Sequence, residues 1–249
     1  MAYYDDFDYQ SYWTGREYEN EAEKIAVRRF LKKIPHKNSL VDVGAGFGRF
    51  TNVYAPYFEK CWLVDPSNDL LNQAKLNCQG FKNLIFKIGE AEKLPIDSDK
   101  ADVVLMIRIA HHLEEPEKAF LEAHRILRTG GFLILEFANK IHFRARLRAV
   151  VGGSLSFGRD RTPREQRSLA NIEAGKINFL NHHPRQIRKD LEKSGFVVIG
   201  FLSVSNFRSP IVKKLLPSPL LLLLEKHLQK PLAKIFFGPS IFVLAKKIV

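Results

Sequence analysis

The 249-residue chain has few cysteines and no long apolar run. Its two cysteines, Cys61 and Cys78, show no CxxC or Cys/His spacing, so the sequence predicts neither a zinc site nor a disulfide framework. The leucine run from Leu220 to Leu224 falls far short of the roughly 18 residues that a membrane-spanning helix needs. The first ten residues lack the basic and apolar regions of a signal peptide. We therefore expect a cytoplasmic protein without a metal centre.

Acidic side chains are scarce in the last part of the chain. The formal net charge is +12, and residues 141–249 carry 20 basic side chains against six acidic ones. Such an excess predicts contact with an anionic partner, such as lipid headgroups, RNA or an acidic substrate. A solvated basic surface is the alternative, and the sequence alone leaves both open.

Short apolar strands alternate with helical segments along most of the sequence. A hydrophobic content of 45% is enough for one well-packed domain. Alternation of this kind predicts an α/β fold, a doubly wound parallel sheet that binds ligands at the carboxyl ends of its strands. Helices are expected at 20–34, near Phe47, Ser67 and Pro116, and at 184–194. Strands are expected at 40–43, 61–64, 84–88, 101–107, 132–137, 196–203 and 240–245.

A glycine-spaced turn, GAGFG, follows the first predicted strand. Gly44, Gly46 and Gly48 have no Cβ, so backbone amides at this turn can approach a bulky nucleoside closely. The dinucleotide fingerprint GxGxxG has its third glycine one position later, where this chain has Arg49. The spacing therefore argues against a nicotinamide cofactor.

An acidic residue, Asp65, ends the second predicted strand in CWLVDPS. A carboxylate at this position is placed to accept hydrogen bonds from both ribose hydroxyls of a nucleoside that lies over the glycine turn. The structural alternative is that Asp65 caps the helix that begins near Ser67. The order of strand, glycine turn, helix, strand and acid favours ribose binding.

Together these motifs resemble those of class I S-adenosylmethionine-dependent methyltransferases. LVDVGAGFGRF resembles motif I, GEA at 89–91 resembles the GDA segment that holds adenine, and LRTGGFLIL resembles the LKPGG turn into strand five. Glu90 departs from the family's usual aspartate. The resemblance covers 26–138 and is to the small-molecule subgroup that includes ubiquinone and menaquinone C-methyltransferases. The cofactor-binding residues that it implies are Asp42, Gly44, Ala45, Gly46, Gly48, Asp65, Pro66, Gly89, Glu90, Ala91 and Arg108.

The same resemblance implies a Rossmann-like sheet of seven strands in the order 3-2-1-4-5-7-6, with strand seven antiparallel and with helical insertions. The implied cofactor is S-adenosyl-L-methionine, and its product is S-adenosyl-L-homocysteine. The residues after the fourth strand are expected near the methyl-transfer centre, where Arg108 is placed to pair with the cofactor carboxylate. His111 or His112 is the candidate general base, although a packed histidine is the alternative.

Aromatic and charged residues near the N-terminus are expected to form a lid, with Arg16 and Tyr18 among the cofactor ligands. A packed N-terminal arm is the alternative. We expect a single methyltransferase domain, 1–249. Its expected parts are the lid (1–35, including Tyr12 and Trp13), the cofactor-binding core (36–138), a cap insertion (139–183), two segments that complete the core (184–205 and 239–249) and a basic amphipathic insertion (206–238).

The basic amphipathic insertion is expected to carry a helix at 219–237, kinked at Pro231. Such a helix predicts contact with a membrane interface, the lining of a tunnel for an apolar substrate, or packing on the sheet. We expect peripheral contact with the inner face of a membrane through 213–237. The leucines of one face are Leu220, Leu224, Leu228 and Leu232, and the lysines of another are Lys226, Lys230 and Lys234.

The function expected from these features is methyl transfer to a hydrophobic or amphiphilic small molecule, such as a quinone precursor, a lipid or a polyprenyl compound. An RNA methyltransferase that uses the basic C-terminal region is ranked second. The sequence contains no recognisable RNA-binding module or NPPY-type motif. A non-catalytic nucleoside-binding scaffold is third, because fold does not fix function. The oligomeric state is not specified.

Overall fold

The computed structural model describes residues 13–154, 156–174 and 177–248. Its centre is a seven-stranded sheet in the order β3-β2-β1-β4-β5-β7-β6, in which β7 runs antiparallel to both of its neighbours. The predicted fold class, strand order and antiparallel strand are therefore confirmed. The strands are β1 Ser39–Val43, β2 Lys60–Asp65, β3 Leu84–Ile88, β4 Ala101–Met106, β5 Leu127–Ala138, β6 Phe196–Val204 and β7 Ser240–Lys247.

Helices cover both faces of this sheet, and each face has its own buried apolar cluster. The helix predicted near Phe47 begins only at Thr51 and lasts a single turn, because Pro56 follows in a 3-10 turn. The helices are α1 Glu17–Leu31, α2 Thr51–Tyr54, α3 Asn68–Asn77, α4 Pro116–Ile126, α5 Phe143–Val151, α6 Leu169–Glu173, α7 Pro184–Lys193, α8 Pro210–Leu215 and α9 Ser218–Ala233.

Strands β1 and β4 are buried along their whole length. Both lie in the middle of the parallel part of the sheet, where helices cover both faces, and this explains why SLVDV and ADVVLM contain so few polar residues. Connections leave β1 and β4 toward opposite sides of the sheet. Their carboxyl ends therefore flank the crevice in which folds of this kind bind ligands.

Helix α9 packs against α1 and β6, but through a different row of residues from the predicted leucine stripe. Its buried residues are Leu221, Glu225, Gln229 and Ala233, whereas Leu220 is exposed. Polar side chains can occupy this buried row because they find partners there. Gln229 donates to the carbonyl of Ala22 at 2.9 Å. In the part of the chain that the structure describes, no helix combines the length and apolar character required to span a bilayer.

The carboxylate of Glu225 joins α9 to the end of β6 and to α1. It accepts hydrogen bonds from the backbone amides of Ser205 (2.9 Å) and Asn206 (3.1 Å). The hydroxyl of Tyr18 donates to its Oε2 at 2.6 Å and accepts from the amide of Phe207 at 3.0 Å. The expectation that Tyr18 binds the cofactor is therefore corrected, because its hydroxyl is committed to this buried network.

Replacing Tyr18 with Phe should lower the free energy of unfolding by about 1–3 kcal/mol, because a buried carboxylate loses a donor and a backbone amide loses its acceptor. Urea denaturation measures the loss. Tyr57→Phe is the matched control, since Tyr57 is 63% exposed and its substitution should change stability by less than about 0.5 kcal/mol. Equal effects of the two substitutions would contradict the network.

Candidate active site

A cavity of about 480 Å³ lies at the carboxyl ends of the parallel strands, over the glycine turn. Gly48 does not line this cavity. It packs against Cys78, so that a Cβ added to Gly48 would lie only 2.7 Å from Cys78 Sγ. The structure thus brings together the remaining predicted cofactor residues of the core. Those that line the cavity are Asp42, Gly44, Ala45, Gly46, Asp65, Pro66, Gly89, Glu90, Ala91 and Arg108.

The glycine turn is held against β2 by its own backbone. The amide of Gly44 donates to the carbonyl of Val64 at 2.8 Å, and the amide of Gly46 donates to Asp65 Oδ2 at 2.8 Å. Gly44 has φ +69°, and a Cβ there would lie only 2.3 Å from Ile109 Cγ2. A Cβ on Gly46 would meet no heavy atom within 4 Å. The turn is therefore closed beneath Gly44 and leaves open space beside Gly46.

Asp65 is buried at the end of β2, and its carboxylate is oriented by two backbone amides. Gly46 donates to Oδ2, and Ser67 donates to Oδ1 at 2.9 Å. Ser67 itself caps α3, because its hydroxyl accepts from the amide of Leu70 at 3.2 Å. The capping role that the sequence left open for Asp65 thus belongs to Ser67, and the carboxylate faces the cavity.

Asp42 lies at the base of the same cavity, where it accepts a hydrogen bond from the hydroxyl of Tyr54 at 2.9 Å. Burial raises the pKa of Asp42 to about 7, and the hydrogen bond from Tyr54 only partly offsets this effect. The charge of this carboxylate is therefore sensitive to pH near neutrality.

A second cavity, of about 920 Å³, adjoins the first. Its walls come from the start of α1, the ends of β4 and β5, the cap region and the segment between β6 and α8. Arg16 lines this second cavity and not the first, so the structure does not place it among the cofactor ligands. The residues that line both cavities are Trp13, Arg108, His111 and Phe179.

Arg108 occupies the junction in a left-handed conformation, with φ +61°. Its backbone amide donates to Glu136 Oε2 at 2.9 Å, and its guanidinium lies 3.5 Å from Glu23 Oε1. Left-handed conformations are uncommon outside glycine and persist where neighbouring contacts hold them. Here a buried carboxylate from β5 holds the backbone, and one from α1 holds the side chain.

The adjacent histidines, His111 and His112, have different surroundings. Nδ1 of His112 donates to the carbonyl of Asn178 at 2.7 Å, since a carbonyl can only accept. Nδ1 of His111 is buried and has no hydrogen-bond partner among the described residues. Burial, followed by the charges of His112, Arg108 and His182, lowers the pKa of His111 well below its ordinary value. His111 is thus a neutral imidazole at the junction of the two cavities.

Several residues of the second cavity were not predicted from sequence. Glu136 was the one visible signal, a lone charge in the apolar run LILEFA. Phe179 and Asn181 come from the cap region, where no pattern marked them. Asn181 Oδ1 is buried without a partner among the described residues. Of the predicted lid, Trp13 lines both cavities, whereas Tyr12 lies outside the described residues.

Part of the chain is similar in sequence to known methyltransferases. Residues 41–135 match the family described as "Methyltransferase domain". The chain is 32% identical over 117 residues to the uncharacterized methyltransferase YcgJ of Bacillus subtilis, a match that covers 46% of each chain. It is 30% identical over 120 residues to the ubiquinone/menaquinone biosynthesis C-methyltransferase UbiE of Rickettsia bellii, covering 44% of this chain and 48% of that protein.

The likeness to solved structures extends over nearly the whole chain. A chain from the Haloferax volcanii complex with the Trm112 methyltransferase activator superposes with a TM-score of 0.65 and 17% identity. The superposition covers 98% of this chain and 97% of the other, and it shows a shared fold. In sequence, by contrast, the chain spans less than half the length of YcgJ and UbiE.

Proposed function

We propose that this chain is a class I S-adenosylmethionine-dependent methyltransferase and that it methylates a hydrophobic or amphiphilic small molecule. The observation that carries the proposal is the pair of adjoining cavities, which meet at Arg108 and His111. The smaller cavity has the features of a nucleoside site, and the larger one is within the size range of small-molecule pockets. A quinone precursor, a lipid or a polyprenyl compound fits this class.

The residues of the smaller cavity suit S-adenosylmethionine, the cofactor that the family implies. The open space beside Gly46 lets a nucleoside approach the backbone, and the oriented carboxylate of Asp65 suits the ribose hydroxyls. Arg108 would hold the carboxylate of the cofactor, and Glu90 and Ala91 would flank its adenine. When bound, the cofactor supplies a methyl group activated by a sulfonium.

The chain's own residues align the acceptor with the methyl group, exclude water and accept one proton from the acceptor. Phe179, from the cap, and Trp13, from the N-terminal side, line the junction. The neutral ring of His111 lines this junction, where it can accept a proton from a hydroxyl or an acidic carbon of the acceptor. His112 positions the cap through Asn178 instead.

Exposed apolar and basic side chains support the proposed membrane contact through 213–237. Leu215 on α8 is 74% exposed and Leu223 on α9 is 52% exposed. The exposed lysines of this region are Lys214, Lys226, Lys230 and Lys234. Apolar side chains among lysines suit an anionic bilayer surface, from which an amphiphilic acceptor would be drawn.

The direct test supplies methyl-labelled S-adenosylmethionine together with a lipid extract, an aqueous metabolite fraction or total RNA. Label should enter a small molecule, and transfer at low cofactor concentration should fall roughly 10- to 100-fold in Asp65→Asn, which loses hydrogen bonds to a charged group. Asp69→Asn, an exposed acid in the first turn of α3, is the control and should behave as wild type. Label found in RNA alone would instead favour the RNA methyltransferase.

The pH dependence tests His111. Because its pKa lies below 6.5, the ring is neutral above that value and becomes protonated only as the pH falls well below it. The ratio of kcat/KM for wild type to that for His111→Gln should therefore stay constant between about pH 6.5 and 8. Taking the ratio removes any contribution from Asp42, which both proteins share. A ratio that falls as the pH is lowered, with an apparent pKa near 6.5, would contradict a buried neutral base.

Vesicle binding tests the membrane contact. Leu215→Glu and Leu223→Glu should each weaken co-sedimentation with phosphatidylglycerol vesicles. Each replaces an exposed apolar side chain with a negative charge, which the anionic headgroups repel. Leu76→Glu is the control, since Leu76 is 68% exposed on α3. An equal loss for all three variants, or no binding by wild type, would refute the contact.

A further inference from the structure

The basic excess of the C-terminal part is concentrated partly on the larger cavity. Arg144 and Arg148 are one turn apart on α5, so they share a face, and both line this cavity. Arg208, from the segment after β6, and His142, which precedes α5, line it too. Cationic side chains from two separate insertions therefore converge on one cavity.

The acids of the same cavity are already engaged elsewhere. Glu19 pairs with Lys213 at 3.1 Å, and Glu23 pairs with Arg49 at 2.6 Å. Glu136 accepts from the hydroxyl of Ser240 at 2.6 Å. Among the described residues, neither Arg144 nor Arg148 has a carboxylate partner; Arg144 donates only to the neutral hydroxyl of Ser209, at 3.3 Å.

The pKa of His142 reflects the positive charge around it. Its pKa is lowered to about 4, first by burial and then by the charges of Arg208, Arg148, Arg144 and Arg146. A histidine that faces several guanidinium groups is held neutral, so it adds no further charge. It remains available as a hydrogen-bond donor or acceptor beside the arginines.

We propose that the methyl acceptor carries an anionic group, a carboxylate or a phosphate, which Arg144, Arg148 and Arg208 bind in the larger cavity. This inference rests on the proposed function and deepens it. Guanidinium groups bind both anions through paired, charge-assisted hydrogen bonds. His111 lines the same cavity where it meets the smaller one, and the group to be methylated would lie beside its ring.

The binding arm of the test uses the intact chain and isothermal titration with inorganic pyrophosphate and with benzoate. These two probes separate a phosphate from a carboxylate as the preferred anion. Arg144→Gln/Arg148→Gln should weaken binding of the preferred probe ~10-fold or more, because charge-assisted hydrogen bonds are lost. Arg159→Gln is the control, since Arg159 is an exposed arginine of the same insertion and lines neither cavity. Its dissociation constant should stay within about twofold of wild type.

Equal losses in the double variant and the control, or no binding of either probe by wild type, would overturn the proposal. Each variant is also titrated with S-adenosylhomocysteine, which should bind unchanged because Arg144 and Arg148 do not line the smaller cavity. Wild type that binds the anion but transfers no methyl group would refute the proposed function and leave the anion site standing. Methyl transfer with an unchanged acceptor KM in the double variant would refute the anion site and leave the function standing.

Discussion

The buried carboxylate of Glu23 couples helix α1 to the two segments that form the site. Its oxygens lie 2.6 Å from Arg49, in the turn after β1, and 3.5 Å from Arg108, at the end of β4. Trp13 stacks on Arg49, with 3.8 Å between the guanidinium carbon and the ring centroid. A buried charge must be paired to be tolerated, so these contacts tie the N-terminal helix to the strand ends. The junction between the two cavities depends on this pairing.

The same constraint applies to two other buried acids, Glu136 and Glu225. Glu136 holds the left-handed backbone of Arg108, and Glu225 holds the end of β6 against α9. Burial raises the pKa of both groups, and their hydrogen bonds partly compensate. Each therefore joins segments that are distant in sequence. Stability and site geometry are coupled at Glu23 and Glu136, because these buried carboxylates also position residues of the cavity walls.

Sequence patterns identified most of the residues that line the smaller cavity and few of those that line the larger one. The apolar strands, the glycine spacing and the acid Asp65 are each visible in a few consecutive residues. The parallel sheet then places the residues that follow its strands side by side in a fixed order. The contacts of Tyr18 and Arg16 depend on how α1 packs against α9 and the cap, which no local pattern encodes. The leucine stripe of α9 was misjudged for the same reason, since Glu225 and Gln229 are buried by partners 20 and 207 residues away.

Selectivity in this chain should reside in its insertions, because the parallel sheet supplies the same strand ends to many reactions. The cap contributes Phe179, Arg144 and Arg148 to the larger cavity, while the 3-10 turn after β4 contributes His111 and β5 contributes Glu136. The larger cavity thus combines the neutral imidazole of His111 with several guanidinium groups, one of which, Arg108, lies at the junction itself. An anionic group on the acceptor would be held by Arg144 and Arg148, and this contact would restrict the orientations that the acceptor can take. Contacts from the insertions would then contribute to regioselectivity.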